Sequence, residues 1–199
     1  MCKEINIKAF HGSLVEDINK FRPASHFGCK IQALSAIGAK VFLDESKDGR
    51  PTMYEVKINV SEENIFYFER DWGKFGPQGA LIPLRTLKLK AVEKEAELEI
   101  LKRFGGYHGE INNAESDFER LKIAEEFLKY EAGHKYKVIR YPNAVEADGD
   151  GYCVIDASVI SIDSISTVTW EEVVAAFENH DDWLQVRDAV VKFMNSIGK

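Results

Sequence analysis

The amino-acid sequence predicts an α+β protein, because strand-like segments occur in its first third and again near residue 140, with helix-like segments between and after them. These segments show no strand–helix–strand alternation, which disfavours a Rossmann-type parallel sheet. Two glycine-rich phosphate loops, GxGxxG and GxxxxGK followed by Ser or Thr, are also missing from the sequence. A dinucleotide would therefore have to bind without either of them.

The first half of the chain contains three predicted strands and one predicted helix. Residues 5–10 alternate weakly and predict a strand that runs into residues 11–13. The apolar spacing over residues 30–40 predicts a short helix. Apolar and polar side chains alternate strictly over residues 54–60, which predicts a half-buried strand. Residues 64–69 form a second β-like run.

The middle of the chain predicts a helical insertion at about residues 92–132. An alternating run at 87–91 comes first and gives way to a helical pattern that ends at Gly105-Gly106. A firm helix follows over 116–132, where Ser116 and Glu119 form a capping box.

The last third predicts two strands and then two helices. The strands cover 136–141 and 152–156 and are joined by a turn at 148–151. The capping pair Thr169 and Glu172 opens helices predicted over 170–178 and 182–197. We therefore expect a main domain over 1–165 and a helical extension over 166–199.

Composition narrows the class of protein. The chain has 26 basic and 33 acidic residues, a net charge of −7 with no dense basic cluster, which disfavours a stable nucleic-acid complex. Its three cysteines are widely spaced, so a disulfide framework or a zinc knuckle is not expected. The sequence has no apolar stretch of membrane-spanning length and no secretion signal, and we expect a cytoplasmic protein without membrane contact.

Three short segments could carry chemistry. They are Phe10-His11-Gly12-Ser13, His26-Phe27-Gly28 and Asn143-Ala144-Val145-Glu146, each of which sets polar or aromatic groups beside a permissive backbone. Taken singly, each also fits an ordinary structural role: a satisfied histidine, a packing aromatic and a solvated acidic loop.

In combination and order, these segments resemble ADP-ribosyltransferases of the diphtheria-toxin and poly(ADP-ribose) polymerase class. They are most similar to small bacterial and phage members, including an anti-CRISPR enzyme. The run from Tyr141 to Glu146, followed by Asp150 to Asp156 and Ile160, is similar to the closing strands of that family. The resemblance spans about residues 5–162. It implies a split antiparallel β-sandwich around an NAD cleft, with inserted and C-terminal helices.

The resemblance also implies roles for the N-terminal residues. His11 would bond the adenosine-side ribose, and the backbone of Gly12 would pair with the nicotinamide amide. Ser13 would support the turn or contact the ribose. Phe27 would stack on the nicotinamide ring, with Tyr54 as the rival for that role. His26 and Gly28 complete the predicted NAD-binding set.

Glu146 would be the acid that binds the hydroxyl of the nicotinamide ribose, with Asp148 and Asp150 as alternatives. Many relatives carry an acid immediately before the tyrosine of the final strand, where this chain has Gly151. A carboxylate aimed at the sugar would stabilise the positive charge that develops as the nicotinamide–ribose bond breaks. That chemistry requires no metal.

Two other features have more than one interpretation. Glu146, Asp148, Asp150 and Gly151 match positions 1, 3, 5 and 6 of a calcium loop, but position 12 is Ala157. Separately, the alternating basic run of Arg85, Lys88 and Lys90 fits a solvated strand face, or a rim that receives the NAD pyrophosphate or an acidic target.

The sequence thus predicts an enzyme that uses NAD as a substrate and transfers ADP-ribose to a macromolecule, with a protein side chain as the first expectation. Such an enzyme would be a toxin, effector or phage factor acting in a bacterial or host-cell cytoplasm. The alternatives are an enzyme that modifies RNA or DNA, and an inactive NAD-binding or interaction module of the same fold.

Overall fold

The structure is a computed structural model that describes residues 3–22, 25–43, 49–67, 136–143, 147–178 and 183–197. Within these ranges the chain forms two β-sheets and three α-helices. In chain order the elements are β1 (Glu4–Ser13), β2 (Ser25–Phe27), α1 (Lys30–Phe42), β3 (Thr52–Ser61), β4 (Ile65–Tyr67), β5 (Val138–Pro142), β6 (Asp150–Val154), β7 (Ile160–Thr167), α2 (Trp170–Ala175) and α3 (Leu184–Ile197).

One sheet has three strands in the order β1-β3-β7, and the other has four in the order β2-β6-β5-β4. Neighbouring strands run antiparallel except for the parallel pair β4 and β5. A parallel pair needs a long connection, and here residues 68–137 separate the two strands. The predicted α+β class with antiparallel sheets is confirmed. The elements predicted at 87–132 and the basic run at 85–90 lie outside the described residues.

The alternation of β3 creates the main core. Tyr54, Val56, Ile58 and Val60 are each at most 2% exposed, whereas the intervening Lys57 and Asn59 face solvent. These buried side chains pack against Val138 and Val154 of the four-stranded sheet and their neighbours. Burial of apolar surface between the two sheets therefore holds them face to face.

A second core joins α1 to the C-terminal helices. Ile37 of α1, Val173, Phe177 and Val190 are each at most 1% exposed and belong to one cluster. The predicted capping box is confirmed, since Thr169 N–H donates to Glu172 at 2.8 Å and Glu172 N–H donates to Thr169 Oγ1 at 3.1 Å. The expected domain boundary at residue 165 falls inside β7, and the helices after it share a core with α1.

The connection between β5 and β6 differs from the predicted turn at 148–151. β6 begins at Asp150, so Asp150 and Gly151 pair with Pro142 and Tyr141 in the sheet. The connection between the two strands therefore ends at Gly149, whose φ of 132° lies in the region that favours glycine. Gly151, at position 6 of the possible calcium loop, therefore lies in a strand instead of the sharp turn that such a loop needs.

Helices long and apolar enough to cross a membrane are not found in the described part of the chain. Over the same ranges, no cluster of three or more His, Cys, Asp or Glu side chains is arranged to hold a metal ion.

Candidate functional site

The first two predicted segments meet at the end of β1. The backbone of Phe10 and that of Gly28 exchange two hydrogen bonds, of 2.8 and 3.0 Å. One residue further along, His11 Nδ1 lies 2.7 Å from the carbonyl oxygen of His26. These contacts tie the three-stranded sheet to β2, the edge strand of the four-stranded sheet.

The third segment is tied to the same place by Gln32, in the first turn of α1. Its Nε2 donates to the carbonyl oxygens of Asn143, at 3.3 Å, and Ala147, at 3.1 Å. Its Oε1 accepts from Cys29 N–H at 2.9 Å. Residues 144–146, including Glu146, lie outside the described residues, but both flanks of this short stretch are bound to the start of α1.

The loop at 143–149 is also closed at its own base. Asn143 N–H donates to the carbonyl of Gly149 at 2.9 Å, and Pro142 pairs with Asp150 just below it. Gly28 lies beside the Gln32 side chain so closely that a Cβ there would fall 1.9 Å from Gln32 Oε1. Glycine at position 28 therefore leaves room for the carboxamide that joins the three segments.

His11 sits inside an aromatic cluster. Its ring centroid lies 5.1 Å from that of Phe21, 5.4 Å from Phe27 and 6.4 Å from Tyr54. Burial, followed by the charge of Lys40, lowers the pKa of His11 to about 3, so the imidazole is neutral near pH 7. Because the His26 carbonyl can only accept, we assign the proton of His11 to Nδ1. Nε2 then carries a lone pair that can accept a hydrogen bond from a hydroxyl group.

His26 extends the contact network to β5. Its Nδ1 lies 2.8 Å from the hydroxyl of Tyr141, one residue before Pro142 and the loop. The Tyr141 ring packs directly against Gly151, where a Cβ would lie only 2.4 Å from Cζ of the ring. Burial lowers the pKa of His26 to about 4, and this ring too is neutral at pH 7.

The two aromatic residues predicted to stack on nicotinamide are both enclosed. Phe27 is 3% exposed, and Tyr54 is fully buried. The Tyr54 hydroxyl donates to Val15 O at 2.6 Å and accepts from Ile18 N–H at 3.1 Å. A ligand ring that stacked on Tyr54 would have to displace this segment.

Gly12 and Ser13 are buried at the end of β1. A Cβ on Gly12 would stand 1.9 Å from the carbonyl oxygen of Ala33, so only glycine allows α1 to approach β1 this closely. The Gly12 carbonyl accepts from Lys40 Nζ at 3.0 Å. Ser13 Oγ accepts from Val15 N–H at 3.0 Å, which supports the turn after β1.

The two alternative acids have different surroundings. Asp150 accepts from Arg140 Nε at 2.8 Å and from a second nitrogen of the same guanidinium. Arg140 in turn lies over the ring of Tyr67, 5.3 Å from its centroid. Asp148 is exposed on the loop. The carboxylate of Asp150 is thus already paired.

Sequence reasoning missed three residues of this site: Gln32, Lys40 and Tyr141. Gln32 is the third residue after Cys29, where a helix-capping side chain is expected, and that signal could have marked it. Lys40 and Tyr141 carry no local signal, because their partners Gly12 and His26 are 28 and 115 residues away along the chain.

Comparisons of the chain with family models, curated proteins and solved structures find no match.

Proposed function

We propose that the chain is an ADP-ribosyltransferase that cleaves NAD and transfers ADP-ribose to a macromolecular acceptor, in the first instance a protein side chain. The observation that carries this proposal is the contact made by Gln32 with Asn143 and Ala147, on both flanks of the stretch that contains Glu146. This contact supports the proposal because it holds Asn143 and Ala147 at the first turn of α1, close along the chain to Gly28, which pairs with Phe10 beside His11.

The proposed reaction breaks the bond between C1′ of the ribose and the nicotinamide nitrogen. The bonding electron pair moves to the nicotinamide ring, and positive charge develops on the ribose. The Glu146 carboxylate would bind a hydroxyl of that ribose and stabilise the charge, because a hydrogen bond to an ionised carboxylate strengthens as its donor becomes more positive. The acceptor nucleophile then bonds to C1′ and releases its proton to solvent, and nicotinamide leaves as the neutral ring.

His11 suits a binding role in this scheme. With its pKa lowered to about 3 by burial and the charge of Lys40, the imidazole is too weak a base to carry protons near pH 7. Its Nε2 lone pair matches a ribose hydroxyl that donates a hydrogen bond. The proposed reaction needs no metal, and the proposed setting is a bacterial or host-cell cytoplasm, where the protein would act as a toxin, effector or phage factor.

Nicotinamide release from labelled NAD tests the proposal. Glu146→Gln keeps the size of the side chain and removes its charge, and we expect it to lower kcat by about 100-fold or more. Asp148→Asn neutralises the exposed acid that is the alternative to Glu146, and it should keep the wild-type rate. A loss of activity in Asp148→Asn but not in Glu146→Gln would assign the role to Asp148. Equal rates for wild type and Glu146→Gln would remove Glu146 from the mechanism.

The acceptor and the rival functions are distinguished by a second assay. Incubation of the protein and labelled NAD with a lysate should label a protease-sensitive band if the acceptor is a protein. A nuclease-sensitive product whose formation falls steeply with salt would identify RNA or DNA instead. NAD binding without nicotinamide release would indicate an inactive module of the same fold.

A further inference from the structure

Lys40 reaches the proposed site from the last turn of α1. Its ammonium group donates a hydrogen bond of 3.0 Å to the carbonyl oxygen of Gly12, which directly follows His11 in β1. The α-carbon of Gly12 is at the same time packed against the carbonyl of Ala33. Gly12 and the peptide group that joins it to Ser13 are therefore held from two sides by one helix.

The charge of Lys40 acts on His11 as well. A cation near an imidazole disfavours its protonated form, and Lys40 adds to the effect of burial in lowering the pKa of His11 to about 3. Lys40 is also the basic residue in the last turn of α1, a position where a cation is favoured by the partial negative charge of the helix dipole. Lys40 thus acts on both the Gly12 carbonyl and the His11 imidazole.

We propose that Lys40 is a positioning residue that orients the Gly12 carbonyl toward the carboxamide of a bound nicotinamide ring. The inference rests on the proposed function for the identity of the ligand. A carbonyl oxygen has two lone pairs, so Lys40 can occupy one and leave the other for an amide N–H of the ligand. Fixing the peptide group before the ligand arrives reduces the ordering cost of binding.

Three substitutions test this role. Lys40→Met removes the ammonium group and keeps the aliphatic stem, Lys40→Arg keeps a cationic donor, and Lys30→Met is the control. Lys30 lies on the same helix, and its 3.6 Å ion pair with Glu172 is exposed. We expect Lys40→Met to raise the KM for NAD and the Kd for nicotinamide about tenfold, with a smaller change in kcat. Lys40→Arg should restore most of the affinity, and Lys30→Met should match wild type.

NMR supplies a readout that does not depend on activity. Lys40→Met should raise the pKa of the His11 ring and shift the amide resonances of Gly12 and Ser13, whereas Lys30→Met should do neither. If Lys40→Met does not fold, as judged by circular dichroism, Lys40→Gln replaces it in every measurement.

Different results would overturn the role of Lys40 and the proposed reaction. Wild-type protein that releases no nicotinamide would overturn the proposed reaction. The Kd for nicotinamide and the pKa of the His11 ring, measured in wild type and Lys40→Met, would still decide the role of Lys40. An active wild type together with a Lys40→Met variant whose KM, nicotinamide Kd and His11 pKa match those of Lys30→Met would overturn the role of Lys40 alone.

Discussion

Acidification from pH 8 to pH 5 should destabilise the fold because two imidazoles remain neutral in it. The pKa of His11 is lowered from 6.5 to about 3, by burial and then by Lys40, and that of His26 is lowered by burial to about 4. In the unfolded chain both rings take up a proton below pH 6.5. Since the unfolded state then binds more protons than the folded state, the free energy of unfolding falls as the pH falls.

The size of the effect follows from these pKa values. At pH 5, which is 1.5 below the ordinary pKa of 6.5, each histidine lowers the free energy of unfolding by about 2 kcal/mol. The two together amount to about 4 kcal/mol, a large share of the roughly 5–15 kcal/mol that stabilises a typical domain. The loss continues until the pH reaches the folded-state values, near 4 for His26 and near 3 for His11.

Urea unfolding followed by tryptophan fluorescence measures this loss. Trp170 and Trp183 pack against the helical core and should report its unfolding. The carboxyl groups of Asp156 and Glu172 also stabilise the fold, because hydrogen bonds to nearby backbone or side-chain groups lower their pKa values. Measuring between pH 8 and pH 5 separates the loss of stability caused by the histidines from the loss caused by these two acids. Their stabilisation is lost only at lower pH, through and below their ordinary values of 3.8 and 4.5.

The variants His11→Gln and His26→Gln supply the decisive comparison. Near pH 5, each substitution should reduce the number of protons that the chain takes up on unfolding by about one. Histidines elsewhere in the chain contribute equally to all the proteins compared. A wild-type free energy of unfolding that does not change between pH 7 and pH 5 would refute the reasoning. So would variants that keep the full wild-type slope.

Three further substitutions test the packing around the site. Gly12→Ala places a Cβ 1.9 Å from the carbonyl oxygen of Ala33 and should cost about 3 kcal/mol or more in urea unfolding, because backbone cannot move aside as a side chain can. A loss below about 1 kcal/mol would show that α1 shifts freely against β1. Tyr141→Phe removes the 2.8 Å bond to His26 and should cost about 1 to 2 kcal/mol, and a change in the His26 ring resonances should accompany it. Thr169→Ala removes the cap of α2 and should cost about 1 kcal/mol, an effect that Thr169→Ser should largely reverse.

The local elements could be predicted from periodicity and capping. The strict alternation of Tyr54, Val56, Ile58 and Val60 predicted β3 and its buried face, because successive side chains of a strand point to opposite sides. The apolar spacing after Lys30 predicted α1, and the pair Thr169 and Glu172 predicted the start of α2. The start of β6 was predicted two residues too late, because the glycines and acids at 148–151 are typical of turns, whereas pairing with β5 extends the strand over Asp150 and Gly151.

The sequence by itself therefore determined most of the described elements, although not β2 or β7, together with the α+β class and three candidate segments. Only the tertiary structure decided that the first two segments meet and that Gln32 binds Asn143 and Ala147, on the flanks of the third. It also decided that Lys40 bonds to Gly12 and that Tyr141 bonds to His26. The physical reason lies in the range of the interactions. Periodicity and capping act over about four residues, whereas Gln32 bonds to carbonyl groups 111 and 115 positions away, and no local pattern records such a contact.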